Sequence, residues 1–354
     1  MKKTLALTLI VFAMLGVKAY AATTLLLPPY LDTNNNLMVR NTSNSNWQHF
    51  ESNVKKFYRQ MSPSERIFYI KDNGSDTLYY WNGSSKTKMI DNAYKIDFDS
   101  NRAIVLKTDG DVVVFSNFDS SPSNYKTIAD LGSTSNADIA VNANYAVTVG
   151  GDRALRIYSF SENITGIWNT NYNMFRGLDL GSSNIGLIDM YHKLWVAPAS
   201  WVWAFASGAY ATGNPLRSGI NYVSDISMEG SRYAYIDKNT ATAKAKNGNN
   251  AIVSLGSQAA SSVQLTSEGV AWSHYATDNL YIQKTNSTFS VYDSSRDFSA
   301  SSVFSYNTVD YDGIAIRTNS SNLHIKDIDI STSLIPSHLW GQIRSIGEWP
   351  GVER

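Results

Sequence analysis

The chain has no cysteine. Disulfides and thiolate metal sites are therefore excluded, and stability has to come from the size of the buried core. Charge is scarce as well: 17% of residues are Asp, Glu, Lys or Arg, and the formal net charge is 0. Nucleic-acid binding would need a basic stripe, so no nucleic-acid partner is expected. Catalytic signatures are missing too. The sequence contains no Gly-rich phosphate loop, no His-Glu-x-x-His, no G-x-S-x-G elbow and no Ser-Asp-x-Gly-x-Thr-Trp box. The five histidines, His49, His192, His274, His324 and His338, are scattered without ligand spacing. No metal and no cofactor are expected.

A long apolar run occurs once, at the start. Lys2 and Lys3 precede the near-continuous apolar stretch Leu5–Val17, and Ala19-Tyr20-Ala21 fits the small-x-small cleavage rule. Residues 1–21 read as a signal peptide of bacterial type, cut after Ala21, and the run is too short to span a bilayer comfortably. No stable membrane span is expected after cleavage, and the chain is assigned to the periplasm or the extracellular medium. Residues 22–354 then form a single domain, with a net charge of −3 once Lys2, Lys3 and Lys18 are gone.

What is abundant is turn chemistry and aromatic rings: 22 Gly, 21 Tyr, 13 Phe and 9 Trp, among many Asn, Ser and Thr. The organising stretch is Tyr94–Ser116, in which Ile96 and Phe98, Ala103–Leu106 and Val112–Phe115 are separated by polar breaks. Its Asp109-Gly110 pair marks a tight hairpin. The central apolar triplet recurs as Ile67-Phe68-Tyr69, Ile104-Val105-Leu106, Ala146-Val147-Thr148, Gly186-Leu187-Ile188, Ala234-Tyr235-Ile236, Ala271-Trp272-Ser273 and Ala315-Ile316-Arg317. The intervals run from 37 to 48 residues. Units of that length, each worth three or four strands, predict an all-β fold: a β-propeller, with seven blades the first choice and eight or six open. Thr23–Arg40 reads as a partial repeat that could close the ring together with the C-terminal end.

Two segments stand outside the repeat. In Asn41–Ser62 the spacing of Phe50, Val54, Phe57 and Tyr58 suits one helical face, so a short helix or a long loop is expected at 41–62. Ala197–Pro215 falls in the longest interval and carries Trp201, Trp203 and Tyr210 among small residues. Either Trp201 and Trp203 share one strand and wedge between blades, or the segment offers an aromatic platform on the rim. Candidate ligand-binding residues are Trp201, Trp203, Tyr210, Trp168, Tyr172, His192 and His274, the two histidines lying in or beside equivalent turns. Asp97, Asp99, Asp109, Asp111, Asp225, Asp310 and Asp312 are placed in or near turns, where a short carboxylate ordinarily accepts backbone N–H bonds. No catalytic residue is assigned.

The segment "RAIVLKTDGDVVVFS", Arg102–Ser116, resembles the tectonin-type propeller repeat of some secreted or surface lectins. Tyr145–Ser159 and Gly313–Asp327 match it more loosely. The resemblance implies a propeller in which recurrent tryptophans help to form sugar pockets between blades. Three functions follow as expectations. The first is a secreted, lectin-like module for a glycan or surface polysaccharide. The second is a scaffold docking an extracellular or envelope protein. The third is a polysaccharide hydrolase or lyase, which would need two carboxylates facing each other.

Overall fold

A computed structural model describes residues 29–40, 47–60, 66–168, 175–209, 219–246, 252–265, 269–274, 280–284, 290–291, 298–308, 311–318, 323–327, 333–334 and 343–345. The chain is a β-propeller built almost entirely of antiparallel sheets, and the described residues form six of four strands and one of seven. Sheet II is Val54–Gln60, Arg66–Lys71, Thr77–Trp81 and Lys86–Ile90. Sheet III is Ala93–Asp99, Arg102–Lys107, Asp111–Phe115 and Lys126–Asp130. Sheet IV runs from Asp138–Val141 to Ile164–Trp168, and sheet V from Phe175–Leu180 to Gly219–Ile220. Sheet VI, the seven-stranded one, begins at Val223–Glu229, and sheet VII at Phe298–Thr308.

In sheet VI the long strand Val253–Leu265 changes partner midway. Its first part pairs with Thr242–Lys246, and from Ala260 onward it pairs with Gly269–His274. Sheet VI therefore holds two of the apolar triplets, and sheets and repeat units are not one-to-one. Each triplet falls in the second strand of its unit, as the hairpin pattern requires.

Both faces of a sheet are buried, which is why the strands read as unbroken apolar runs. In Arg102–Lys107, Ile104 and Leu106 join Ile139, Val141 and Tyr158 toward sheet IV, while Ala103 and Val105 join Phe68, Ile70 and Tyr80 toward sheet II. The Asp-Gly turn in this sheet is compulsory. Gly110 has φ +95°, and a Cβ there would lie 2.5 Å from the Ser133 backbone nitrogen.

From sheet III to sheet VI the first strands touch in succession around the axis: Ala93–Asp99 meets Asp138–Val141, which meets Phe175–Leu180, which meets Val223–Glu229. Sheet I comprises Tyr30–Asp32, Leu37–Arg40 and Trp47–Glu51, and its axial strand comes from the other end of the chain: Ile343–Ser345 pairs with Tyr30–Asp32. The two chain ends thus share one sheet, and the pairing covers an edge that would otherwise be open.

Over the described part of 41–62, residues 47–60, the expected helix or loop is not what forms. Trp47–Glu51 and Val54–Gln60 are strands, separated by a turn in which Asn53 has φ +58°. The helical spacing was a coincidence of two-sided burial. Phe57 faces the cluster shared with sheet I, while Tyr58, next to it, faces the cluster shared with sheet III. Residues 41–46, 61–62 and the leader at 1–21 lie outside the described residues.

The segment after Leu194–Pro198 is also not a strand. Ala199–Ala206 is a helix, followed by Gly208 at φ +79° in the left-handed position that commonly ends one. Residues 201 and 203, which alternation would put on one side of a strand, lie about 200° apart on a helix. They accordingly have different surroundings: Trp203 packs against the cluster between sheets IV and V, and Trp201 is 60% exposed.

Candidate functional site

Two repeated devices position polar groups. The first runs along the axis. Asp97 accepts the N–H of Phe98 (2.9 Å) and, from sheet IV, that of Val141 (2.6 Å). Asp138 accepts Leu178 N–H (3.1 Å), Asp179 accepts Met228 N–H (2.7 Å), and Asp225 accepts Val263 N–H (3.0 Å). Apart from the bond within the strand from Phe98 to Asp97, each joins one axial strand to the next, and each replaces water that the carboxylate has lost. Lys95, 3% exposed, adds an ion pair to Asp138 at 2.8 Å.

Burial pushes Asp97 well above the carboxylate range despite the N–H bonds it accepts, and the negative charge of Asp179 adds to the rise. Burial likewise pushes Asp179 up to about 7, with Asp138 and Asp225 contributing repulsion. Asp97 and Asp225, expected in or near turns as acceptors of backbone N–H groups, do accept such groups, but from within the axial strands Ala93–Asp99 and Val223–Glu229. Turn carboxylates of the expected kind do occur, as where Asp109 accepts the N–H of Asp111 at 3.1 Å. The axial signal was present as Asp-apolar pairs at 97–98, 138–139, 179–180 and 225–226, recurring at the repeat length.

The second device lies on the rim, in six of the turns that join the second and third strands of a unit. Asn35, Asp76, Gly110, Arg153, His192 and Ala241 all have positive φ. Their carbonyls accept the N–H groups of Val54, Ala93, Leu131, Phe175, Val223 and Ala260, respectively, in the segment that follows. One residue per turn is thus held in the left-handed region and tied to the neighbouring unit, whatever its side chain.

At His192 this frame gathers cations. The turn Asp189–Lys193 is set by the Asp189 carboxylate, which accepts the N–H groups of Tyr191 and Lys193 at 2.9 Å and the Trp195 indole N–H at 3.0 Å. Arg176 occupies the β-bulge at the start of Phe175–Leu180. Its Nη1 lies 3.1 and 3.2 Å from the two ring nitrogens of His192, and Lys238 Nζ lies 3.1 Å from Nε2. Burial, then Arg176, then Lys238 hold the imidazole below its ordinary pKa. Two aromatic residues adjoin the cluster along the chain: Tyr191 is 71% exposed, and Tyr222, whose carbonyl accepts the Lys238 N–H, is 53% exposed.

The other sequence candidates are dispersed. Trp168 is buried, with its ring 4.9 Å from that of Phe205 on the helix. Trp201 stands exposed on that helix, and Trp203 buries its indole N–H with no hydrogen-bond partner among the described residues. His274 ends the strand Gly269–His274. Tyr172 and Tyr210 lie outside the described residues. Nor do the tryptophans recur at one place in the repeat: Trp81 and Trp195 are on third strands, Trp168 on a fourth and Trp272 on a second. Arg176 and Lys238 were missed by sequence reasoning, since neither sits in a motif and only the neighbouring sheets bring them to His192. Among the described residues, no group of three His, Asp or Glu side chains has a metal-binding arrangement, and no helix is long and apolar enough to cross a membrane.

No family model matches the chain, and no curated protein matches its sequence. Solved structures similar in shape include Kluyveromyces lactis Hsv2 with complete loop 6CD, at 13% identity and a TM-score of 0.48, covering 66% of this chain and 73% of that one. Human WBSCR16 is similar at 7% identity and a TM-score of 0.48 over 76% and 84%. The computationally designed protein Ika8 is similar at 10% identity and a TM-score of 0.47 over 80% and 84%. The fold assignment rests on the strand order and pairing described above.

Proposed function

We propose that this propeller is an exported binding scaffold for a glycan or surface polysaccharide, released to the periplasm or the extracellular medium after cleavage at Ala21. In this reading the ring has eight blades, two of them in the seven-stranded sheet. The observation that carries the glycan reading is the rim between sheets V and VI, where the exposed rings of Tyr191 and Tyr222 adjoin the donors Arg176, His192 and Lys238. Sugars present an apolar face that stacks on rings and a polar edge that takes hydrogen bonds, so this mixture suits them. The test is a panel of neutral and acidic oligosaccharides against the mature chain, Tyr191→Ala and Tyr222→Ala. Weakened binding at an unchanged melting temperature supports the reading, and no binding by the mature chain to any member of the panel sinks it.

A second reading, a protein-docking scaffold, is favoured by one other surface. The helix Ala199–Ala206 packs on the strand Ile164–Trp168, and these two elements expose Trp201, Ile164 (53%) and Ile167 (57%). Exposed large apolar side chains on neighbouring elements suit a protein partner better than a sugar. Changing Ile167 to Lys would abolish such docking and leave glycan binding intact.

A further inference from the structure

The β-bulge that positions Arg176 occurs in other sheets, and the equivalents differ in charge. In sheet II the register shift between Val54 and Lys56 leaves Lys55 as the bulge residue. Its Nζ lies 2.9 Å from the carboxylate of Asp76, the left-handed turn residue of that sheet. In sheet V the corresponding pair is Arg176 and His192, identified by the same bulge and by the same carbonyl-to-next-sheet bond. The neighbouring sheet also contributes an equivalent position. Thr108 donates its N–H to the Asn92 carbonyl, as Lys238 does to that of Tyr222. Lysine, aspartate and threonine therefore occupy three positions at one rim, and arginine, histidine and lysine occupy them at the other.

The first set is neutral and internally paired. The second has at least two positive charges and no carboxylate in contact with Arg176 or Lys238 among the described residues. Asp189 lies in the same turn, but its oxygens are committed to Tyr191, Lys193 and Trp195. Like charges held about 3 Å from one imidazole repel one another, and nothing in the backbone frame requires them, since sheet II builds the same frame without them.

We propose that the Arg176–His192–Lys238 cluster is an oxyanion subsite that binds the carboxylate or sulfate ester of an acidic sugar, the anion supplying the negative charge that Asp76 supplies in sheet II and that His192 does not. This rests on the glycan reading above and names the ligand class at the same site. A planar or tetrahedral oxyanion can take charge-assisted bonds from the guanidinium and the ammonium together. Tyr191 and Tyr222 adjoin the same subsite, where the sugar ring carrying the anion would lie.

The test compares a galacturonate hexamer, a sulfated galactan hexamer and a neutral galactan hexamer by calorimetry on the mature chain, His192→Asp, His192→Asn and the double variant Arg176→Gln/Lys238→Gln. Lys55→Gln serves as the control at the equivalent rim. His192→Asp recreates the sheet II arrangement, so it keeps the fold while supplying an internal anion. It should weaken the acidic hexamers by about tenfold or more, a loss larger than that of His192→Asn, and leave any neutral binding alone. Galacturonate and sulfated galactan separate the two sources of the anion, and preference for either one supports the site. Acidic binding unchanged in both His192→Asp and the double variant overturns it. So does binding lost equally in Lys55→Gln, or binding that occurs only to vesicles of phosphatidylglycerol. If neutral and acidic hexamers bind equally, the oxyanion inference fails and the glycan reading stands. If no hexamer binds but sodium sulfate shifts the His192 imidazole resonances in the mature chain and not in the double variant, the subsite stands and the glycan reading fails.

Discussion

The rims of sheets II and V share one backbone design and reach opposite electrostatic ends. In sheet II, Lys55 from the bulge meets Asp76 from the turn, and the pair closes on itself. In sheet V, Arg176 from the bulge meets His192 from the turn, and Lys238 joins from the neighbouring sheet. The bulge, the left-handed turn residue and its carbonyl bond to the next unit are the same in both. The repeat thus supplies a conserved geometry of positions, and the side chains placed there are free to differ because the frame is held by backbone groups. A propeller of this kind can carry a ligand site at one rim while its equivalents remain merely structural.

The comparison holds only while the ring is closed, and the largest effect should come from opening it. Deleting Ile343–Arg354 removes the strand that pairs with Tyr30–Asp32 and leaves the axial position of sheet I empty. The expected outcome is loss of a single cooperative melt, followed by differential scanning calorimetry, with both rims affected together. Persistence of one sharp transition at the original temperature would show that sheet I contributes nothing to closure.

Next in size is a core deletion beneath the sheet II rim. Phe68 is fully buried, with its ring 5.0 Å from that of Tyr80, 4.6 Å from Phe98 and 5.0 Å from Phe118. Phe68→Ala should cost about 3–5 kcal/mol in urea unfolding, since the cavity opens between two sheets that cannot close independently. If the loss were below about 1 kcal/mol, the aromatic cluster would not be what holds sheets II and III together.

The axis offers a pH test that both rims share. Asp97 and Asp179 have raised pKa values in the folded chain, Asp179 to about 7. Between the ordinary carboxylate value and that raised value the folded state binds more protons than the unfolded state. Stability therefore falls as pH rises from about 4 through about 7. Asp179 alone should account for a loss on the order of 4 kcal/mol, about three pKa units at ~1.4 kcal/mol each. It should shrink markedly in Asp179→Leu, which removes the charge at the cost of one inter-sheet acceptor. A pH-independent unfolding free energy across that window would mean the axial carboxylates titrate normally.

The smallest effect is at the surface itself. Lys55 is about half exposed and Asp76 partly so, and a single ion pair at such a surface contributes little, so Asp76→Asn should change stability by only about 0–1 kcal/mol. Lys238→Gln should be neutral or slightly stabilising, because it relieves repulsion around His192. A loss above about 2 kcal/mol for Lys238→Gln, measured by chemical unfolding, would make the cluster a structural element and erase the contrast between the two rims.

How much of this was legible in the sequence depended on distance along the chain. The second strand of each unit, the Asp109-Gly110 hairpin and the repeat length follow from apolar runs and turn residues a few positions apart, where local conformation decides the outcome. The strands at Trp47–Glu51 and Val54–Gln60 were misread because Phe57 and Tyr58 face different neighbours, and a one-dimensional pattern does not separate two-sided burial from a helical face. The helix at Ala199–Ala206 was missed because the i, i+2 spacing of Trp201 and Trp203 reads as strand alternation, whereas on the helix it divides them between a packed and an exposed side.

What the sequence determined by itself is therefore the strand-turn rhythm, because β propensity and left-handed turns are properties of a few adjacent residues. It also determined the position of His192 in such a turn. What only the tertiary structure decided is which charges share a rim. Arg176, His192 and Lys238 are separated by 16 and 46 residues from His192 to each side, and they meet because a bulge, a turn and the next sheet's turn are stacked at one edge. Pairing across sheets likewise decided that Ile343–Ser345, from the far end of the chain, completes the sheet that Tyr30–Asp32 begins. Such meetings are set by the closure of the ring, a cooperative property of all the sheets at once, and no local stretch encodes them.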